Sequence, residues 1–307
     1  MWRRTLAVLA LAGCYRDGAA PPGNATNTVG NALASSNCGS HDDLAVAPSD
    51  VFPGGRLRSQ INGVLSGANG RSWAGPPVPD YIPMKLGTLE LFLLDKADGG
   101  RLAFYREPYN LSSCTLSGSA NCSYQARFYD KRGALQWELG LDDLMSRGDH
   151  LEVQDIRLAD GVVYFNEACQ SYSSGANGKC SSLVAVDPRA HKVLWRTAPL
   201  TSNGRFRLRG CYIVAGYGFT AEPDSLFLVD RTSGAVLQKL FVSSSPEQLD
   251  LVGPDRLDVQ LYSGVRRKFR LDGMDAGNGA IVALDADPYG GNGYGGATYG
   301  GMGYGGP

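Results

Sequence analysis

Leu183-Val184-Ala185-Val186-Asp187-Pro188-Arg189-Ala190-His191-Lys192-Val193-Leu194-Trp195 is the stretch that decides the fold. An apolar run ends in Asp, a short polar turn follows, and a second apolar strand begins. The same design recurs at residues 91–95, 126–130, 226–230 and 281–285, which close on Asp95, Asp130, Asp230 and Asp285. With Asp187 included, these Asp positions are 35, 57, 43 and 55 residues apart. A second element runs out of step with them: Ile156-x-Leu158-x-x-Gly161, Phe206-x-Leu208-x-Gly210 and Leu249-x-Leu251-x-Gly253. Asp187 to Gly210 and Asp230 to Gly253 both span 23 residues. A period near 43 made of four short strands marks propeller blades, the longer spacings holding insertions. The expected fold is all-β: a β-propeller of four-stranded antiparallel blades, five or six of them, over residues 38–287.

The rest of the chain agrees. Val162-Val163-Tyr164-Phe165 and Cys211-Tyr212-Ile213-Val214-Ala215 are further β-branched and aromatic runs bounded by turn residues. The best helical candidate, residues 140–147, is brief and reads as a turn. Residues 14–37 lack apolar periodicity and read as a flexible tether. Residues 288–307 are nearly all Gly and Tyr, a composition that cannot offset its ordering entropy, so a disordered tail is expected. The 29 basic and 30 acidic residues balance, which gives no pull toward nucleic acid.

Residues 1–13 carry Arg3 and Arg4, a short apolar core and small residues before Cys14, the features of a secretory signal peptide. Leu11-Ala12-Gly13-Cys14 resembles the bacterial lipoprotein signal, which implies a lipid on Cys14 as the membrane attachment; an ordinary signal with a chance Cys14 is the alternative. Tyr15 stands where enteric bacteria place the Asp that retains lipoproteins at the inner membrane. The resemblance therefore implies the outer membrane, on its periplasmic or cell-surface face. Six more cysteines fit an oxidising compartment. Short loops favour Cys114 with Cys122 and Cys169 with Cys180, and Cys38 with Cys211 follows by elimination. There is no Cys-x-x-Cys and there are three His, so no metal site is expected.

Ala185-Val186-Asp187 through Lys192-Val193-Leu194-Trp195 resembles the repeat of pyrroloquinoline-quinone-type β-propellers. Asp230 with Gly234 matches its turn, with Gln238 where Trp is usual. Asp130, Gly133 and Trp137 match with a turn one residue shorter, and Asp95 with Gly99 keeps the turn alone. The resemblance implies that Asp caps turn amides, that Gly supplies a positive φ, and that Trp137 and Trp195 dock neighbouring blades. The family's enzymes are quinone-dependent dehydrogenases, but the vicinal Cys pair that stacks on a quinone is missing here, so no cofactor is expected. Non-enzymatic members include the lipid-anchored propeller of the outer-membrane β-barrel assembly machinery, which this chain resembles in anchor, tether and repeat.

Catalytic residues are not evident. His41-Asp42-Asp43 reads as a polar turn rather than a metal site, His191 as the turn's Gly position, and the repeated Asp residues as caps rather than an acidic catalytic set. Arg205, Arg207 and Arg209 alternate along a strand and, with Tyr217 and Phe219, make the candidate partner face; Arg266-Arg267-Lys268 is a second basic cluster. The expected function is a non-enzymatic, lipid-anchored envelope scaffold whose propeller binds other envelope proteins. The alternatives are an enzyme (hydrolase, lyase or vestigial quinoprotein) with a site in the central channel, and a surface adhesion protein.

Overall fold

The computed structural model describes residues 78–107, 122–146, 151–170, 172–219 and 222–285. Their strands fall into four antiparallel sheets of consecutive elements. The first holds β1 (Lys85–Leu86), β2 (Leu89–Ala97), β3 (Gly100–Arg106), β4 (Tyr124–Tyr129) and β5 (Leu135–Gly140). The second holds β6 (Leu151–Ala159), β7 (Val162–Cys169), β8 (Ser182–Asp187) and β9 (Lys192–Arg196). The third is β10 (Arg207–Arg209), β11 (Tyr212–Tyr217), β12 (Ser225–Asp230) and β13 (Val236–Phe241). The fourth is β14 (Pro246–Leu251), β15 (Arg256–Leu261), β16 (Arg266–Asp272) and β17 (Ala280–Ala283). The fold is a β-propeller, and each sheet is one blade. The described residues hold four of the five or six blades expected; residues 38–77, the signal (1–13), the tether (14–37) and the tail (288–307) lie outside them.

Burial grades across each central blade. Every residue of β6 is buried, whereas β9 alternates between exposed and half-buried positions. The blades pack face to face through three apolar layers. Leu102, Phe104 and Leu139 meet Val153, Ile156 and Phe165 between the first and second blades. Leu183 and Ala185 meet Phe206, Ile213 and Phe227 between the second and third. Val214, Leu226 and Leu228 meet Leu249, Leu257 and Phe269 between the third and fourth. A strand buried on both faces needs apolar residues in succession, which is why β8 and β12 are unbroken runs. Each fully buried Leu or Val contributes about 1.5–3 kcal/mol.

The two end blades differ. The far face of the first blade is apolar and is covered by the segment before β2: Ile82 packs with Leu91, Leu94 and Tyr129, and the Tyr105 hydroxyl donates to the Pro83 carbonyl at 2.9 Å. The far face of the fourth blade is polar. In β16 exposed Arg266, Lys268 and Arg270 alternate with buried Arg267, Phe269 and Leu271. One wet face demands this alternation. The helical candidate at residues 140–147 is a turn as far as it is described: Leu144 and Met145 both donate to the Leu141 carbonyl.

Candidate functional site

The conspicuous carboxylates build the blades. Asp130, Asp187 and Asp230 stand at the ends of β4, β8 and β12. Asp130 Oδ1 accepts from the amides of Arg132 (2.8 Å) and Ala134 (3.0 Å). Asp187 Oδ1 accepts from Arg189 (2.9 Å) and Ala190 (3.0 Å), and Asp230 Oδ1 from Thr232 (3.0 Å) and Ser233 (2.7 Å). These bonds hold the Asp187 carboxyl below the usual range, because they favour its charged form. The turns close on Gly133 (φ 84°), Gly234 (φ 73°) and His191 (φ 51°).

Asp95 departs from this scheme. It does not cap a turn but lies inside β2, 3% exposed, with Oδ2 accepting from Arg157 Nη1 at 2.9 Å. The turn after β2 uses Asp98 and Gly99 instead, both at positive φ. Asp285 likewise follows a fourth strand, not a third. Its carboxylate accepts from Arg267 Nε at 2.9 Å. The third strand of the last blade is β16, which ends at Asp272. With the two-residue β1 set aside as a fifth strand that the expected four-stranded blade lacks, the third-strand Asp positions are thus 130, 187, 230 and 272, with the last two intervals 43 and 42.

The aromatic positions join blades. Trp195 Nε1 donates to the Arg231 carbonyl of the next blade at 3.1 Å, and a Cβ placed on Gly234 would lie 2.5 Å from the Trp195 ring. Tyr81 covers Gly133 in the same way, at 2.7 Å from such a Cβ. Gln238, where Trp is missing, bonds across to β17 instead: Nε2 donates to the Ile281 carbonyl (2.9 Å) and Oε1 accepts from its amide (2.8 Å). Trp137 stacks on Phe128 with centroids 5.7 Å apart and packs on the layer facing the second blade.

The densest polar chemistry lies on the buried inner strands. Arg157 of β6 spans Asp95 of the first blade and Asp155 (Nη2 to Oδ2, 3.2 Å). Asp155 Oδ2 also accepts the Phe206 amide of the third blade at 3.1 Å. The register of β6 shifts between Val153 and Ile156. Asn166 fills that bulge: its Oδ1 accepts from the amides of Gln154 (3.0 Å) and Asp155 (2.9 Å). Such bulges re-aim side chains. Here the bulge returns Ile156 to the apolar layer and frees Asp155 to face Arg157. Glu152 Oε1 accepts from the Gln154 side-chain Nε2 beside them.

The candidate partner face is not a surface. Arg205, Arg207 and Arg209 are 8%, 7% and 5% exposed. Arg209 is held by Asp275 (2.9 and 3.1 Å) and by the Pro254 carbonyl (2.8 Å). Burial, with Arg207 beside it, pushes the Arg205 guanidinium down to about 10. Alternation put the three on one side of a strand, but β10 takes in only Arg207 and Arg209, with Arg205 before it, and alternation could not show that the fourth blade holds Arg209. Tyr217 is also buried, 3% exposed, and its hydroxyl donates to Glu222. Phe219 is half-buried against exposed Tyr172, with centroids 5.6 Å apart. Sequence reasoning missed Tyr172 and Glu222, whose Oε1 accepts from the amide and hydroxyl of Ser173 (2.7 and 2.8 Å).

Cys169 and Cys180 are joined as expected, across the loop between β7 and β8. Cys122 and Cys211 each belong to a disulfide as well, though not with one another. The cysteines that remain, Cys14, Cys38 and Cys114, lie outside the described residues, and so do the lipidation position and two of the three expected pairings. Among the described residues no group of His, Cys, Asp and Glu could hold a metal ion.

Neither a model of a known protein family nor a curated protein matches this chain. Among solved structures it is similar to the computationally designed protein Ika4, with 12% identity, a TM-score of 0.36, and coverage of 58% of this chain and 88% of that one. It is also similar to a proposed 6-phosphogluconolactonase of Bacteroides fragilis, with 13% identity, a TM-score of 0.34, and coverage of 64% of this chain and 69% of that one. Likenesses this slight do not bear on function.

Proposed function

We propose that this chain is a lipid-anchored scaffold of the bacterial outer membrane whose propeller binds other envelope proteins. The observation that carries the reading is the lipoprotein-like Leu11-Ala12-Gly13-Cys14 at the head of a propeller whose second blade carries the Cys169–Cys180 disulfide. Disulfides persist in exported proteins, and a lipid on Cys14 would hold the propeller at a membrane. The repeated carboxylates support it further. Asp130, Asp187 and Asp230 serve turns, and Asp95 serves a contact between blades, so none of them needs a catalytic role to explain it.

The test is direct. Palmitate labelling should mark the wild type, and Cys14→Ala should lose the label and either leave membranes or remain unprocessed. Wild-type protein that takes no label would overturn the lipid anchor. Chemical cross-linking in native membranes should join the chain reproducibly to one or more envelope proteins, and its failure would overturn the scaffold. A second reading, an enzyme, draws on the buried Asp95, Arg157 and Asp155 set on the inner strands; turnover that fails in Asp155→Asn but persists in Cys14→Ala would favour it.

A further inference from the structure

We propose that β13 is the edge at which this chain takes up an extended strand of a partner protein, one carrying an acidic residue between two apolar ones. The inference rests on the scaffold reading and names its contact. Among the described residues β13 is the last strand of its blade and pairs with β12 alone. The outer edge of such a strand offers main-chain N–H and C=O groups to an added strand.

The outer strands guard that edge differently. β5 places Gln136 and Glu138 along it, and β9 places Lys192 and Arg196 on either side of Leu194. β17 is only four residues long. β13 exposes Val236 (41%), Leu237 (47%) and Phe241 (73%), with Lys239 as its one charge. Residues two apart share a face, so Lys239 and Phe241 lie in one exposed row, with Lys239 Nζ 5.1 Å from the Phe241 ring centroid, and Leu237, the residue bulged out where β13 shifts register against β12, is exposed at the row's other end.

An apolar, cationic, apolar row is matched by an apolar, acidic, apolar strand, because opposite charges facing each other across a strand pair attract. A second copy fits worse, since antiparallel pairing centred on Lys239 sets two lysines opposite each other. The segment 288–307 also fits worse: it has no acidic residue, and its many glycines disfavour a strand.

Two labelled nonapeptides that alternate Val and Thr from an N-terminal Val, so that Val flanks the central residue on its own face, one with a central Glu and one with a central Lys, would be titrated onto the purified full chain. Fluorescence anisotropy and amide hydrogen exchange would be read. The Glu peptide should bind at least about fivefold tighter, slow exchange in β13, and lose that preference to the Lys peptide in Lys239→Glu. Equal binding of the two peptides, or protection on another strand, would overturn the proposal. So would β13 protection that already exists without peptide and disappears on dilution or on removal of 288–307. A photo-crosslinking residue in native membranes separates this inference from the scaffold reading. Capture of one identified envelope protein from position 241 but not 135 supports β13. Capture from 135 alone overturns β13 and leaves the scaffold standing, and capture from neither overturns both.

Discussion

Trp195 and Gly234 act as one unit across two blades. The indole rests where any Cβ at position 234 would sit, and φ of 73° there is a conformation that other residues enter only with strain. Gly234→Ala should therefore cost about 1–3 kcal/mol. Trp195→Ala should cost about 2–4 kcal/mol, somewhat below a fully buried Trp because the ring is half-exposed. The double variant should cost clearly less than the sum, which chemical denaturation in a double-mutant cycle would measure. Asp230→Ala, which frees two turn amides, should cost about 0.5–2 kcal/mol. Asp187, Asp258 and Asp272 all have carboxyls held low, the first by backbone amides and the others by Arg256 and Arg270. A folded pKa below the unfolded one contributes stability in full above the ordinary carboxylate value of about 3.9, and that stability is lost as pH falls from there through the lowered folded pKa. Asp142, raised by burial, works in the opposite sense. Acid should therefore remove the part of the stability that Asp187's turn bonds supply, so the wild type should lose more melting temperature than the Asp187→Ala variant between about pH 5 and pH 2.5.

At the scale of the element, the loop between β7 and β8 is closed three ways. The Cys169–Cys180 bond joins its ends, Glu222 fixes Ser173, and Ser181 takes positive φ beside the bridge. A loop with its cysteines 11 residues apart gives about 2–3 kcal/mol by chain entropy. Replacing both cysteines by Ser should remove about that much, with the melting transition remaining cooperative; an unchanged melting temperature would show that the loop's hydrogen bonds hold it without the bridge. Gln238 shows how an element keeps its place when the repeat's aromatic is missing. Its two bonds to Ile281 tie β13 to β17, so Gln238→Leu should loosen that seam and speed amide exchange of Ile281 without disturbing the second blade.

Across the whole molecule, the blades are coupled by charges at two levels. On the inner strands Arg157 bridges the first and second blades, and Asp155 reaches the third. At the turns, Asp98 accepts from the amides of Asp160 and Gly161 (3.0 and 2.7 Å), while Arg231 pairs with Asp160 and Arg209 with Asp275. Arg157 is 1% exposed. Removing one partner of such a pair leaves a buried charge, so Arg157→Met should cost about 3–5 kcal/mol. Asp95→Asn in the same background should recover part of that loss. Urea denaturation read by Trp fluorescence would test both, and full additivity would show that the two residues do not interact.

Strand content, period and third-strand turns were legible in the sequence because they are local. An apolar run ending in Asp and Gly specifies a strand and its capped turn whatever lies nearby, and Asp130, Asp187 and Asp230 stand as that pattern requires. The same pattern misled at Asp95 and Asp285, since an Asp inside a strand and an Asp closing a turn differ only in what faces them. Arg205, Arg207 and Arg209 failed for the same reason. Period two tells which residues share a face, but only the packing of the fourth blade on the third decided that this face is buried. The second basic cluster, Arg266-Arg267-Lys268, divides by the same rule: Arg266 and Lys268 are exposed, because among the described residues no sheet lies over them, and Arg267 points the other way and is buried. Local chemistry set the strands and turns of this chain; which charges meet water was decided by how the blades stack, through the desolvation that neighbours impose.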